Sequence, residues 1–172
     1  RAGCAVLVEL LRGERFPCDV HAAFTVQEEV RLRGARVAAF KIEPDCGFAL
    51  EGTICDDIPK DKEESPTTKL GDGPAITVMD RSYIADRRLL DLLTATASEL
   101  SIPYQFKRPG IGSTDAGAMV RSRGGVPSVG LAVPSRYIHS PVALLSLEDF
   151  YNTVRLMRES LNRLTRATLD RD

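Results

Sequence analysis

The chain has 172 residues, 23 Lys and Arg against 24 Asp and Glu, a formal net charge of −1, and 43% hydrophobic and 27% charged residues. This is the composition of an ordinary folded domain, long enough to bury a core. It offers no basic field for nucleic acid and contains no apolar run of membrane-spanning length. No nucleic-acid or membrane partner is therefore expected.

Ala2 to Leu11 reads as a mostly buried helix that starts without a capping residue or lead-in and stops near Gly13. A chain opening in mid-element has the look of a piece of something longer. Val20 to Val26, with His21, Ala22, Ala23 and Phe24, reads as a buried strand ending at the adjacent acids Glu28 and Glu29. Gly34 to Lys41 is a short helix with small residues at Ala35, Ala38 and Ala39, and Gly47 to Ile54 is a second strand carrying Glu51 among apolar neighbours.

From Asp56 to Gly73 the composition turns polar, which predicts an exposed loop before a strand over Ala75 to Met79. Leu89, Leu92, Leu93, Thr96 and Leu100 recur at three- and four-residue steps, placing an amphipathic helix over Arg87 to Leu100. Tyr104 to Lys107 alternates as a strand. Pro109 to Gly117 is a glycine-rich loop entering a helix, with Ser113 and Thr114 available as caps. A strand over Val126 to Val133, a polar loop from Ser135 to Pro141 and a helix from Leu147 to about Leu164 complete the chain. The tail after Thr165 reads as frayed.

Strands alternating with helices, and strands apolar on both faces, point to an α/β layered sheet covered on both sides. The four cysteines, Cys4, Cys18, Cys46 and Cys55, have no C-x-x-C spacing and lie in or beside apolar stretches. They fit reduced, buried thiols of a cytoplasmic protein better than a disulfide frame or zinc knuckle.

Two acids at the end of a buried strand are costly unless a cation or basic partner compensates them. Neighbours on an extended backbone point to opposite sides, so Glu28 and Glu29 can serve different roles, one as metal ligand and one as proton acceptor. Glu28, Glu29, Glu51, Asp115 and His139 all lie on segments that follow or end strands, where sites of α/β sheets collect. Carboxylates with imidazole suit zinc, cobalt or manganese. His21, on an apolar strand, reads as structural. Gly110-x-Gly112 is followed by an acid and no Lys, so it is not a phosphate loop. Ser113 and Ser140 lack a nucleophile elbow, and adjacent acids facing apart do not frame a glycosidic bond.

Several blocks then occur in one order: Phe24-Thr25-Val26-Gln27-Glu28-Glu29-Val30, Leu32-x-Gly34-Ala35, Ala49-Leu50-Glu51-Gly52-Thr53, Thr114-Asp115-Ala116-Gly117 and Arg136-Tyr137-Ile138-His139-Ser140-Pro141. Together they resemble the tetrahedral (TET) aminopeptidases, a family of glutamyl and deblocking aminopeptidases in which some members are labelled cellulase or endoglucanase. The resemblance runs over nearly the whole chain. It implies the C-terminal part of a zinc-exopeptidase-like three-layer α/β/α sandwich with a mixed, mostly parallel sheet. A PDZ-like domain and the N-terminal catalytic segment would lie outside residues 1–172.

The resemblance further implies two divalent ions, zinc or cobalt, with Glu28 as general base or acid and Glu29, Glu51 and His139 as ligands. At the Glu51 position members more often carry Asp. An upstream His and a bridging Asp, the latter directly before Arg1, would complete the set. Asp115 and Arg136 would stand behind the metal ligands or face the substrate, Asp115 equally a helix cap. Arg31 and Ser113 stand where members often have Gly. The implied activity is removal of N-terminal residues from peptides by a homo-oligomeric cytoplasmic enzyme, with these 172 residues inactive by themselves. Two alternatives remain at this point: a non-catalytic α/β module stabilised by association, and a hydrolase of N-acylated peptides.

Overall fold

The computed structural model describes residues 1–59 and 65–170. In chain order the elements are α1 (Ala2–Arg12), α2 (Arg33–Ile42), β1 (Gly47–Ile54), β2 (Ala75–Thr77), α3 (Arg87–Glu99), β3 (Gln105–Phe106), α4 (Asp115–Val120), β4 (Ser128–Arg136), β5 (Leu144–Leu145), α5 (Leu147–Arg163) and α6 (Arg166–Leu169). The strands form one mixed sheet in the order β1-β4-β2-β3, with β5 also on β4. β1 runs parallel to β4 from Gly47 opposite Ser128 to Ile54 opposite Ser135. β2 is antiparallel to β4 and parallel to β3, and β5 lies antiparallel to the end of β4. Every residue of β4 except Arg136 is buried, as its uninterrupted apolar run requires of a central strand covered on both faces.

α5 packs against both α1 and α3, and all three contact the sheet, while α2 and α4 pack together with α4 against β1 and β4. The main core joins Val6 and Leu10 of α1, Leu89 and Leu93 of α3, Val129, Leu131 and Val133 of β4, and Leu156, Met157 and Leu161 of α5. Each such side chain contributes about 1.5–3 kcal/mol on burial. α1 sits directly on β1: a Cβ on Gly3 would stand 1.9 Å from the carbonyl oxygen of Leu50. Only glycine allows that approach.

Most elements fall where the pattern places them, including the Ser146 cap of α5, whose hydroxyl accepts from Asp149 N–H at 3.3 Å. Four expectations change. Val20–Val26 forms no strand: Val20, Phe24 and Val26 are exposed, and β1, the edge strand beside them, pairs among the described residues only with β4. Without a partner an apolar run has no ladder to join. His21 is accordingly exposed and not a structural histidine of a strand.

The polar stretch after β1 is not simply a loose exposed loop. Thr67 and Thr68 are buried, Thr67 binding the Asp56 carboxylate and Thr68 Oγ1 donating to the Ile54 carbonyl at 2.6 Å. Fully buried Asp149 accepts from Gly71 N–H at 2.8 Å and Gly73 N–H at 2.9 Å. Residues 60–64 of this stretch lie outside the described residues. The tail forms α6, closed by a reciprocal Thr165–Thr168 capping box and tied back by Arg88, which donates to the Leu169 carbonyl. Of the four free cysteines Cys55 is buried, Cys18 and Cys46 are half-buried and Cys4 is exposed.

Candidate functional site

The acid pair sits in a turn. Val30 N–H donates to Gln27 O at 3.3 Å, Leu32 N–H to Glu28 O at 2.9 Å and Gly34 N–H to Val26 O at 3.0 Å. Gln27, Arg31 and Leu32 adopt left-handed backbone, with φ of 57°, 68° and 57°. Such values are uncommon outside glycine and asparagine and persist only where surrounding contacts impose them. Gly34 allows α2 to begin against this turn, since a Cβ there would stand 2.5 Å from the backbone N and O of Val26. The result sets Glu28 half-buried and Glu29 exposed. The two carboxylates do differ in environment, but a turn and not strand alternation separates them.

Glu51 projects from β1 toward α4, where the backbone N–H of Asp115 donates to its Oε1 at 3.0 Å. Burial pushes the Glu51 carboxyl up to about 8; Glu28 and Asp115 add to the rise, and the Asp115 N–H and the Lys107 charge oppose it. Burial likewise raises Glu28, helped by Glu29 and Asp115 and opposed by His139. Asp115 is raised by burial and held back by Thr25, whose hydroxyl donates to Oδ2 at 2.5 Å. Its other oxygen, Oδ1, is buried with no hydrogen-bond partner among the described residues. Lys107, 5% exposed, is the nearby cation; burial lowers its proton affinity against the pull of Asp80 and Glu51.

On the solvent side, His139 Nδ1 lies 3.3 Å from Glu29 Oε1, with the two side chains 65% and 71% exposed. His139 and Tyr137 also carry positive φ, 59° and 62°. The structure thus brings Glu28, Glu29, Glu51, Asp115 and His139 into one neighbourhood from four separate segments. Arg136 is committed elsewhere: its Nε donates to Asp57 Oδ1 at 2.7 Å. Thr114, at the N-cap of α4, makes no side-chain cap; its hydroxyl reaches Asp80 Oδ2 at 3.2 Å.

The donors are carboxylate oxygens and one imidazole, the set that suits a divalent zinc or cobalt ion. The orphaned Asp115 Oδ1 and the desolvated Glu51 carboxyl both mark places where positive charge would be stabilising. Among the described residues, no three His, Cys, Asp or Glu side chains come together closely enough to hold a metal ion. The donors fit such an ion in kind, but among the described residues they do not converge in number.

Two participants escaped the sequence reading. Thr25 lies inside the block that drew attention to the acids, but its hydroxyl gains meaning only from facing Asp115. Lys107 follows β3, and nothing in an alternating Tyr104–Lys107 run marks its amine as buried beside two acids.

A profile for the M42 glutamyl aminopeptidase family matches residues 1–156. The lysyl aminopeptidase of Pyrococcus furiosus is 37% identical over 147 residues, 85% of this chain and 41% of that protein. A TET aminopeptidase from the marine sediment archaeon Thaumarchaeota archaeon SCGC AB-539-E09 has a TM-score of 0.93 at 40% identity, covering 98% of this chain and 48% of the other. The TET1 peptidase of Pyrococcus horikoshii, described as assembling into a tetrahedron or a large octahedral shell, has a TM-score of 0.66 at 36% identity, covering 82% and 40%. The chain spans about half the length of the relatives it matches. With sequence and α/β architecture in agreement over nearly its whole extent, the chain belongs to the M42 glutamyl aminopeptidase family.

Proposed function

We propose that these residues are the C-terminal part of the catalytic domain of a metal-dependent aminopeptidase that removes N-terminal residues from peptides in the cytoplasm. The observation that carries the reading is the cluster of desolvated carboxyls, Glu28, Glu51 and Asp115, beside the Glu29–His139 contact. Glu29, Glu51 and His139 would hold two divalent ions, zinc or cobalt. Bound there, such ions would supply Lewis acidity toward the scissile carbonyl and bring the pKa of water toward neutrality.

Glu28 is the proton carrier in this scheme. A carboxylate that coordinates metal loses proton affinity, so base and ligand must be different groups. Glu28 is half-buried, and burial first, then Glu29 and Asp115, raise its proton affinity, which suits a carboxylate that takes a proton from water and returns it to the leaving amine. Glu29 is exposed against His139, which suits a ligand. Asp115 positions Glu51 through its backbone N–H and is itself held by Thr25.

The full-length protein would be a homo-oligomer, as the TET1 relative is described to be. The domain assignment follows the same reading, with the PDZ-like domain and the N-terminal catalytic segment outside these residues. The test uses a protein of the relatives' full length. Glu28→Gln should keep bound metal and lose turnover by about 10²–10⁴-fold, the usual scale of general acid–base catalysis. His139→Ala should lose metal. Near-normal turnover in Glu28→Gln would remove the assignment.

A further inference from the structure

His139 stands on a turn that the core does not hold. Tyr137 and His139 both keep left-handed backbone, with φ of 62° and 59°, and both side chains lie largely in solvent. Packing therefore does not impose this conformation, and non-glycine residues keep it only where neighbouring contacts over-determine it. Three contacts bracket the turn. On its far side β5 pairs with the end of β4, Arg136 opposite Leu144. Within it the Ser140 hydroxyl lies 2.6 Å from the carbonyl oxygens of Tyr137 and Val142 and can donate to one at a time. On its near side the Arg136 guanidinium donates from Nε to Asp57 Oδ1 at 2.7 Å.

The third contact differs in kind. Asp57 lies just beyond the end of β1, its side chain is 12% exposed, and its second oxygen accepts from Leu70 N–H at 3.0 Å. A charge-assisted bond to so sheltered a carboxylate orients its donor, whereas ion pairs in open solvent contribute little. Cys55 N–H also donates to Ser135 O at 3.0 Å, so the exits of β1 and β4 are joined by backbone and ion pair alike. β1 carries Glu51 and β4 leads to His139. The pair thus ties the strand that bears one candidate ligand to the turn that bears another.

We infer that Asp57 is a positioning residue for the candidate site: through Arg136 it fixes the base of the Tyr137–Ser140 turn, so that Nδ1 of His139 is presented to Glu29. The 3.3 Å contact between His139 and Glu29 then follows from the anchored turn, because two side chains this exposed have no packing of their own to hold them together. The inference deepens the proposed function and rests on it only for the meaning of His139 as a ligand.

The test reads the imidazole of His139 in the metal-free 172-residue chain, labelled with ¹⁵N-histidine and assigned with the help of His21→Gln. At about pH 8.5 the ring is neutral, and its nitrogen shifts report which atom carries the proton, a choice set by the hydrogen bond the ring makes. Contact with Glu29 should bias the proton to Nδ1 relative to free histidine, and Glu29→Gln should abolish the bias. Asp57→Asn should abolish it as well, although it leaves both contacting side chains in place, and Asp57→Glu should retain more of it. Because Asp57→Asn also removes stability, Arg136→Gln, at the more exposed end of the pair, is measured beside it, each well below its Tm. A wild-type chain with the balance of free histidine overturns the inference. So do variants that lower the Tm and keep the bias, which would make the pair an ordinary stabilising one. In a protein of the relatives' full length, Asp57→Asn should further weaken zinc binding by about 10–100-fold, the usual cost of losing a group that orients a ligand. Unchanged zinc affinity there, with the bias lost in the chain, would count against His139 as a ligand and leave its positioning by Asp57 standing.

Discussion

The hydroxyl of Thr25 donates to Oδ2 of Asp115 across 2.5 Å, joining the segment that leads to Glu28 and Glu29 to the first residue of α4. Residues 15–25 have no backbone bonds among the described residues, so this side-chain contact is a principal polar tether of the acid pair. Thr25→Val should cost about 1–3 kcal/mol, the penalty of leaving a desolvated carboxylate oxygen without its donor. Thr25→Ser should restore most of it. Urea unfolding of the three proteins decides, and equal midpoints for wild type and Thr25→Val would show that the tether contributes nothing.

Gly3 puts two effects in competition. Alanine is the better helix former by about 1 kcal/mol. The added Cβ, however, would lie 1.9 Å from the Leu50 carbonyl oxygen, which belongs to backbone and cannot swing aside. Overpacking of this kind costs about 1–3 kcal/mol and more where backbone must shift. The steric effect should win, so Gly3→Ala should lower Tm and loosen α1 from β1. A rise in Tm would mean the helix slides freely on the sheet.

Acid stability should depend on Asp57. The Arg136 guanidinium, 2.7 Å away, holds this carboxyl well below its ordinary value of 3.8. A depressed carboxyl stabilises the fold above its unfolded-state pKa and loses that contribution as pH falls toward the folded value. Unfolding midpoints should therefore drop progressively below about pH 4. Asp57→Asn should be less stable than wild type at pH 7 and show a flatter acid limb. An unchanged acid limb in that variant would assign the loss to other carboxylates.

Zinc titration of the 172-residue chain should give weak binding, with Kd above about 1 µM, far from the ~10–16 kcal/mol of a preformed structural zinc site. The reason is that no three donors converge among the described residues. Cobalt should behave alike. Tight binding of two ions, with peptide hydrolysis, would show that the side chains close up around metal without further residues.

The α/β class, both long helices and the burial of β4 were legible because each rests on local periodicity that burial enforces. Leu89, Leu93 and Leu131 sit at 0% exposure where their spacing puts core residues. The family was legible too, since blocks such as Thr25–Glu29 and Arg136–Ser140 survive in linear order. What periodicity could not supply was pairing. Val20–Val26 has a strand's composition and no strand, because a ladder needs a second edge and the sequence of one segment does not name its partner. For the same reason the roles of Lys107 and Thr25 were not legible, nor was the Asp57 carboxylate that Arg136 pairs with. Composition and spacing determined which residues can do acid, base or ligand chemistry. Only the tertiary structure decided which of them share a desolvated space, because burial and proximity to charge arise from contacts between distant segments.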